Sequence, residues 1–204
     1  MILINKDTKI YGSFSTNPGN NGCVFFNNKF KENNVNAIYK SFYSNNIEDS
    51  VLAAKSLQFS GFAISMPFKT EVLKYIDSVD YAVKQIGAAN TIVNKDGKLK
   101  AYNTDCTALY NYLKSSKIDS LTILGNGGFS KALQYTCELL NIKYSVVLRH
   151  DFENVPNLKG YVFNATPIDV EVEGTLIDGR PFTDEGKKIA RLQAEEQYKI
   201  YMNE

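Results

Sequence analysis

Short apolar runs separated by polar, turn-rich stretches divide this chain into alternating strands and helices. Residues 9–14 read as a strand that runs into a turn rich in Asn, Pro and Gly. Residues 24–30 predict a helix burying Phe25, Phe26 and Phe30, and 36–42 a second strand. Ile47, Val51, Leu52 and Leu57 then recur at helical spacing. Residues 61–65 form a third expected strand, whose end delivers Pro67 and Lys69. Pro67 suits a first helical turn, where its missing N–H would be unpaired anyway. Helices are expected over 69–76 and 78–85, and strands at 90–94 and 99–103 flank the Asp96-Gly97 hairpin turn. A helix over 105–114, a buried-type strand over 120–124, a glycine turn and a helix to 140 follow. Strands at 144–149 and 161–164 come next, and residues 184–204 read as one terminal helix. Only residues 150–160 connect those two strands, too few for a full crossover helix.

Strand, glycine turn, helix, strand is half of a nucleotide-binding α/β unit, and a separate mixed α/β unit precedes it. The expected fold class is therefore α/β in two lobes with a cleft between them. A length of 204 residues agrees, being long for one domain and short for two full ones. The net charge of +1 leaves no basic excess to neutralise phosphates, which argues against a nucleic-acid binder. Cys23, Cys106 and Cys137 are far apart and odd in number, so they predict neither a disulfide framework nor a metal site, and suggest a reducing cytoplasm. His150 is the single histidine, which excludes a multi-histidine metal centre. The first seven residues turn polar too soon for a signal peptide, and no apolar run approaches the ~20 residues that span a bilayer. A soluble, cytoplasmic protein is expected.

Several polar residues punctuate this pattern. Lys69 just past a strand is either a solvated helix-start residue or a proton donor. Asp105 before a helix is an N-cap on one reading, and on another the carboxylate that tunes such a donor. Asn90, after Gly87-Ala88-Ala89, is either a turn residue or an amide for substrate hydroxyls. Gly125, Asn126, Gly127 and Gly128 form an incomplete G-x-G-x-x-G, with Ser130 at the last glycine position. Backbone N–H groups there, at a helix N-terminus, suit a pyrophosphate. Arg149 stands where an acidic residue would select NAD, and suits a 2′-phosphate, hence NADP; nearby Asp151 keeps NAD open.

In this order the motifs resemble shikimate dehydrogenase, the NADP-dependent family of aromatic amino-acid biosynthesis. Ser65-Met66-Pro67-Phe68-Lys69 is similar to the family's T-x-P-x-K, Gly87-Ala88-Ala89-Asn90-Thr91 to G-A-x-N-T, and Asn103-Thr104-Asp105 to N-T-D. Asn164-Ala165-Thr166-Pro167 looks like N-A-T-P, and Gln193-Ala194-Glu195-Glu196-Gln197 like the glutamine motif of the final helix. The resemblance implies a substrate-binding domain over 1–104, to which the helix 184–204 returns, and a Rossmann-like NADP domain over 105–183. It implies NADPH-dependent reduction of 3-dehydroshikimate to shikimate, with Lys69 and Asp105 as the catalytic pair. Ser65, Asn90 and Gln193 would bond the ring hydroxyls, while Gly125, Asn126, Gly127, Gly128 and Arg149, with Asn164 and Thr166, would hold NADP.

Departures accompany the match. The family's carboxylate-binding serines fall at Asn20 and Gly22, with Ser13 and Ser15 upstream as possible replacements. Ile168-Asp169-Val170 stands where the family has x-G-M. The later strand with its tyrosine is expected to be missing, as is most of the segment after Arg149. A nearly complete substrate domain beside a reduced cofactor domain leaves two alternatives open. One is a dehydrogenase of a quinate-like or amino-substituted ring acid, and the other is a non-catalytic ligand-binding relative.

Overall fold

The computed structural model describes residues 4–203. Residues 1–3 and 204, assigned above to the first domain and the terminal helix, lie outside the described residues. In chain order the elements are β1 (Lys9–Ser15), α1 (Asn21–Glu32), β2 (Ala37–Tyr43), α2 (Ile47–Ser56), β3 (Gly61–Ile64), β4 (Ser78–Val79), α3 (Tyr81–Ile86), β5 (Thr91–Lys95) and β6 (Lys98–Tyr102). There follow α4 (Thr104–Leu113), β7 (Ser120–Leu124), α5 (Gly128–Leu140), β8 (Lys143–Val147), β9 (Tyr161–Asn164), β10 (Thr175–Asp178) and α6 (Asp184–Asn203). They form two compact units, one holding the described residues through Thr104 and those from Ala194 onward, the other Asp105–Gln193.

The first unit is built on a six-stranded sheet in the order β2-β1-β3-β5-β6-β4. β1 pairs in parallel with β2 and β3, while β5 runs antiparallel to β3 and β6. The register sets Tyr11 opposite Tyr39 and Gly61, and Ser13 opposite Ser41 and Ala63. Alternation then assigns Tyr11, Ser13 and Ser15 to one face and Gly12 and Phe14 to the other. On the Phe14 face, Phe62, Ile64 and Ile92 pack against Ile47, Val51 and Ala54 of α2 and Val83 of α3. On the Tyr11 face, Tyr39 and Val93 pack against Phe26 and Phe30 of α1 and Tyr201 of α6. Asn46 starts α2, its side chain accepting from the N–H groups of Glu48 and Asp49. Asp80 starts α3 by accepting from Val83 N at 2.7 Å, and Gly87 ends it at φ 69°.

The helices expected over 69–76 and 78–85 are shorter than their apolar spacing suggests. Glu71–Tyr75 is a single 3-10 turn. Asp77 N and Asp80 N donate to the carbonyls of Leu99 and Ala101, so Ser78–Val79 is drawn into the sheet beside β6. That long-range pairing overrides the local helical tendency.

The second unit carries a four-stranded, all-parallel sheet in the order β10-β9-β7-β8. Ala132, Leu133 and Cys137 of α5 and Ala108, Leu109 and Leu113 of α4 are buried. Leu124 and Val162 pack against Val155, Phe152 and Leu158, together with Val170, Val172 and Leu176. A 3-10 segment, Arg149–Asn157, thus covers part of the sheet where a crossover helix would otherwise lie. β10 corrects the expectation that a later strand is missing, since Thr175–Asp178 pairs in parallel with β9. β8 also ends at Val147, so Arg149 opens the 3-10 segment instead of closing the strand. Among the described residues, no helix is long and apolar enough to cross a membrane.

Candidate active site

Backbone pairing in the first unit gathers three of the motifs. Ser65 N donates to Phe14 O and Thr16 N to Met66 O, which extends the β1–β3 pairing and sets Ser15 beside Ser65. Phe68 is buried and anchors the turn that carries Lys69. Ala89 N donates to Lys69 O at 2.8 Å, Ile64 N to Asn90 O and Asn90 N to Tyr102 O. The half-buried Lys69 therefore sits on a turn fastened to the one that carries Asn90.

Asn90 is buried, and its amide is a junction. Its Oδ1 accepts from Thr104 N at 2.9 Å and from Thr91 Oγ1 at 2.9 Å, while its Nδ2 donates to Thr104 Oγ1 at 3.0 Å. Asn103 Nδ2 donates to Ala88 O at 2.8 Å, so both asparagines brace the 87–91 turn. From α6, Gln197 Nε2 donates to Thr91 Oγ1 at 2.9 Å and to Asn90 O at 3.3 Å. The motif singles out Gln193 alone, although Gln193 and Gln197 are four residues apart and so share one helix face. Asp105 is the second residue of α4 and not the residue before it, because the helix starts at Thr104. Asp105 is buried, and Gln193 is half-buried one turn before Gln197.

The upstream polar residues differ in exposure. Ser15 is buried at the end of β1, and Ser65, beyond the end of β3, is exposed. Ser13 lies beside the Tyr39 phenol, which burial pushes above its ordinary range while Ser13 lowers it. Asn20 is exposed at the start of α1, where its side chain makes no cap bond.

In the second unit all four strands point the same way, so their carboxyl ends share one edge, where such sheets bind ligands. Gly125 N donates to Val147 O, Ala165 N to Leu124 O and Gly179 N to Asn164 O, joining the tips of β8, β7, β9 and β10. Gly125 has φ +90°, and a Cβ there would meet Thr166 Cγ2 at 2.7 Å. Ser130, at the last glycine position, locks the turn by donating to Gly125 O at 2.7 Å. Asn126 Oδ1 accepts from Gln134 Nε2 at 3.1 Å. Gly127 is the N-cap of α5 with no side-chain cap bond, a Cβ on it would meet nothing within 4 Å, and Gly128 is the first helical residue. An uncapped, glycine-lined helix start without acidic residues in its first turn fits a pyrophosphate.

Arg149 is exposed directly beyond β8 at the same edge, a position open to a ribose phosphate. Asn164 and Thr166 are occupied within their own loop. Asn164 Oδ1 accepts from Thr166 N and Oγ1, and its Nδ2 donates to Ile168 O. They shape the edge more than they offer free groups to it. Beside them, Arg180 is held by both oxygens of Asp178 and by Asp169 at 2.5 Å. These two carboxylates hold its guanidinium above its ordinary pKa range, with Asp178 the larger influence.

A model of the shikimate dehydrogenase substrate-binding domain matches residues 22–92. The shikimate dehydrogenase-like protein of Haemophilus influenzae is 36% identical over 134 residues, covering 64% of this chain and 49% of that protein. The chain thus spans about half the length of that relative. The shikimate dehydrogenase (NADP(+)) of Pyrococcus furiosus is 34% identical over 187 residues, covering 86% of this chain and 68% of that enzyme. A solved shikimate 5-dehydrogenase-like structure superposes with a TM-score of 0.81 at 25% identity, over 99% of this chain and 94% of the other.

Proposed function

Because this chain belongs to the shikimate dehydrogenase family, we propose that it reduces the ring ketone of 3-dehydroshikimate to the alcohol of shikimate, with NADPH as reductant. The observation that carries the proposal is the fastening of the Lys69 turn to the Asn90 turn through Ala89 N and Lys69 O. On this reading the lysine is the proton donor and the buried amide the hydroxyl-recognition group. NADPH, when bound, supplies the hydride to the carbonyl carbon. Lys69 gives a proton to the developing alkoxide oxygen and recovers one from water, so ketone, NADPH and one proton become alcohol and NADP. Asp105 is assigned to hold the lysine's charge and orientation. Ser65, Asn90 and Gln193 are assigned to the ring hydroxyls, and Ser13, Ser15 and Asn20 to the carboxylate end. Gly125, Asn126, Gly127 and Gly128 would face the pyrophosphate and Arg149 a 2′-phosphate, with Asn164 and Thr166 shaping the loop around them.

The test is NADP reduction with shikimate as substrate, run for the native protein and for Lys69→Ala. Loss of general-acid assistance should cost about 10²- to 10⁴-fold in kcat with the far-UV spectrum and melting temperature preserved. Unchanged turnover would overturn the assignment.

A second reading is favoured by the carboxylate end, where Ser13 lies beside Tyr39 and Asn20 stands exposed. A quinate-like or amino-substituted ring acid is then the substrate, and higher kcat/KM for such a ring than for shikimate would establish it. A non-catalytic role is favoured by the short 3-10 cover of the nucleotide unit. A micromolar Kd for NADPH, followed by nicotinamide fluorescence, would reject that role.

A further inference from the structure

We infer that Gln197 is a positioning residue for substrate recognition, acting on Asn90 through the hydroxyl of Thr91. The inference rests on the reading above that Asn90 meets the hydroxyls of a ring acid. The polarity of the hydrogen bonds carries it. Gln197 Nε2 can only donate, so Thr91 Oγ1 accepts from it at 2.9 Å. The proton of Thr91 is then directed to Asn90 Oδ1, 2.9 Å away. Thr104 N donates to the same oxygen. With two donors converging on Oδ1, the amide cannot turn over without setting its NH2 group against the Thr104 N–H. The same Gln197 Nε2 reaches Asn90 O at 3.3 Å and so also seats the backbone of that residue. Gln197, Asn90, Thr91 and Thr104 are all buried, where a donor without an acceptor is expensive. The last helix thus reinforces the orientation in which the Asn90 amide is held, and the relay ends on the residue immediately before Asp105.

Three variants separate this role from packing. Gln197→Met keeps the volume and removes the donor, Thr91→Val keeps the shape and removes the hydroxyl, and Thr91→Ser keeps the hydroxyl. Losing one such bond should raise the KM for shikimate by about five- to tenfold in the first two variants. Their kcat should change little, the KM for NADP should be unaffected, and Thr91→Ser should restore the native KM. The side-chain amide resonances of Asn90, recorded by ¹⁵N NMR without ligand, should move in Gln197→Met and Thr91→Val and return in Thr91→Ser. Native resonances in both disabling variants, or a native KM in them, would overturn the inference. If the native protein neither binds nor turns over shikimate, the proposed function fails instead. The Asn90 resonances still decide whether the relay exists.

Discussion

Two adjacent tyrosines in the first unit should respond in opposite directions to the same substitution. Tyr201, in α6, is buried, with its ring 4.8 Å from that of Tyr11 and 5.8 Å from that of Phe26. Its hydroxyl has no hydrogen-bond partner among the described residues. Tyr11, equally buried, donates its hydroxyl to Tyr201 O at 3.3 Å. Burying an unpaired hydroxyl costs about 1–3 kcal/mol, and deleting one oxygen leaves a void smaller than a methyl group, worth less than about 1 kcal/mol. Tyr201→Phe should therefore stabilise the protein by about 1 kcal/mol. Tyr11→Phe removes a bond that is made and should destabilise it by about the same amount. Urea titration measures both as midpoint shifts at constant slope. The alkaline limb is a second readout, because burial raises the Tyr201 phenol well above its ordinary 10.0. Its folded-state pKa is the higher one, so the associated stability is fully present below about pH 10 and lost as pH climbs through the folded value. Tyr201→Phe should flatten that loss. A destabilised Tyr201→Phe, matching Tyr11→Phe in sign, would refute the reasoning.

Gly61→Ala should cost about 1–3 kcal/mol by overpacking, because the new Cβ would meet Tyr201 Cε1 at 2.7 Å and Ile92 O at 2.9 Å; a native urea midpoint would count against it. Asp77 accepts from Leu99 N at 2.8 Å and lies beside Lys55 and Lys98, which together hold its carboxyl below the ordinary 3.8. Its stabilisation is present above that ordinary value and lost as pH falls through the lower folded value, so Asp77→Asn should flatten the acid limb of a pH–stability curve. Burial pushes the Cys137 thiol up to about 12, and Cys106 is also buried. Native-state labelling with a maleimide at pH 8 should therefore spare both and modify both only in denaturant.

The elements legible in the sequence were those whose burial is local and periodic. Ser120–Leu124, Tyr161–Asn164 and the helix ending at Leu140 fall where apolar runs and turn residues put them. What could not be read was set by distant partners. Asp77 and Asp80 join β6 through carbonyls some twenty residues away, and nothing in their own neighbourhood announces a strand. β10 was hidden for a similar reason. Thr175–Asp178 is four residues long and bracketed by Gly174 and Gly179, so its own pattern resembles a loop. Its place is secured by Gly174 N on Leu158 O and Thr175 N on Gly160 O, partners well upstream in the chain. Within the candidate site, the motifs point to Lys69 and Asn90, and backbone bonds fasten the turns that carry them. Gln197 is not legible in the motif, because its bonds to Thr91 and Asn90 join positions more than a hundred residues apart.

The departures in the second unit make sense in pairs. Asp169 stands where the family motif carries glycine, and by itself an acidic residue at that edge has no purpose. Arg180 supplies one, since its guanidinium is shared between Asp169 and Asp178 and stacks on Phe182 at 4.9 Å. The triplet fastens the loop after Pro167 to the end of β10. Gly179 allows the closure, because a Cβ there would meet Phe129 Cε1 at 2.9 Å and Phe163 Cε1 at 2.8 Å. The tip of β10 therefore lies against the first turn of α5, beside the glycine turn and its Ser130 lock. Uncovered parts of the same sheet carry Ser120, Thr122, Lys143 and Ser145, with Ser145 Oγ donating to Thr122 Oγ1 at 3.3 Å. Hydroxyls and an amine on exposed strands need no covering helix. The ion triplet thus closes the β10 end of the edge that also carries the glycine turn.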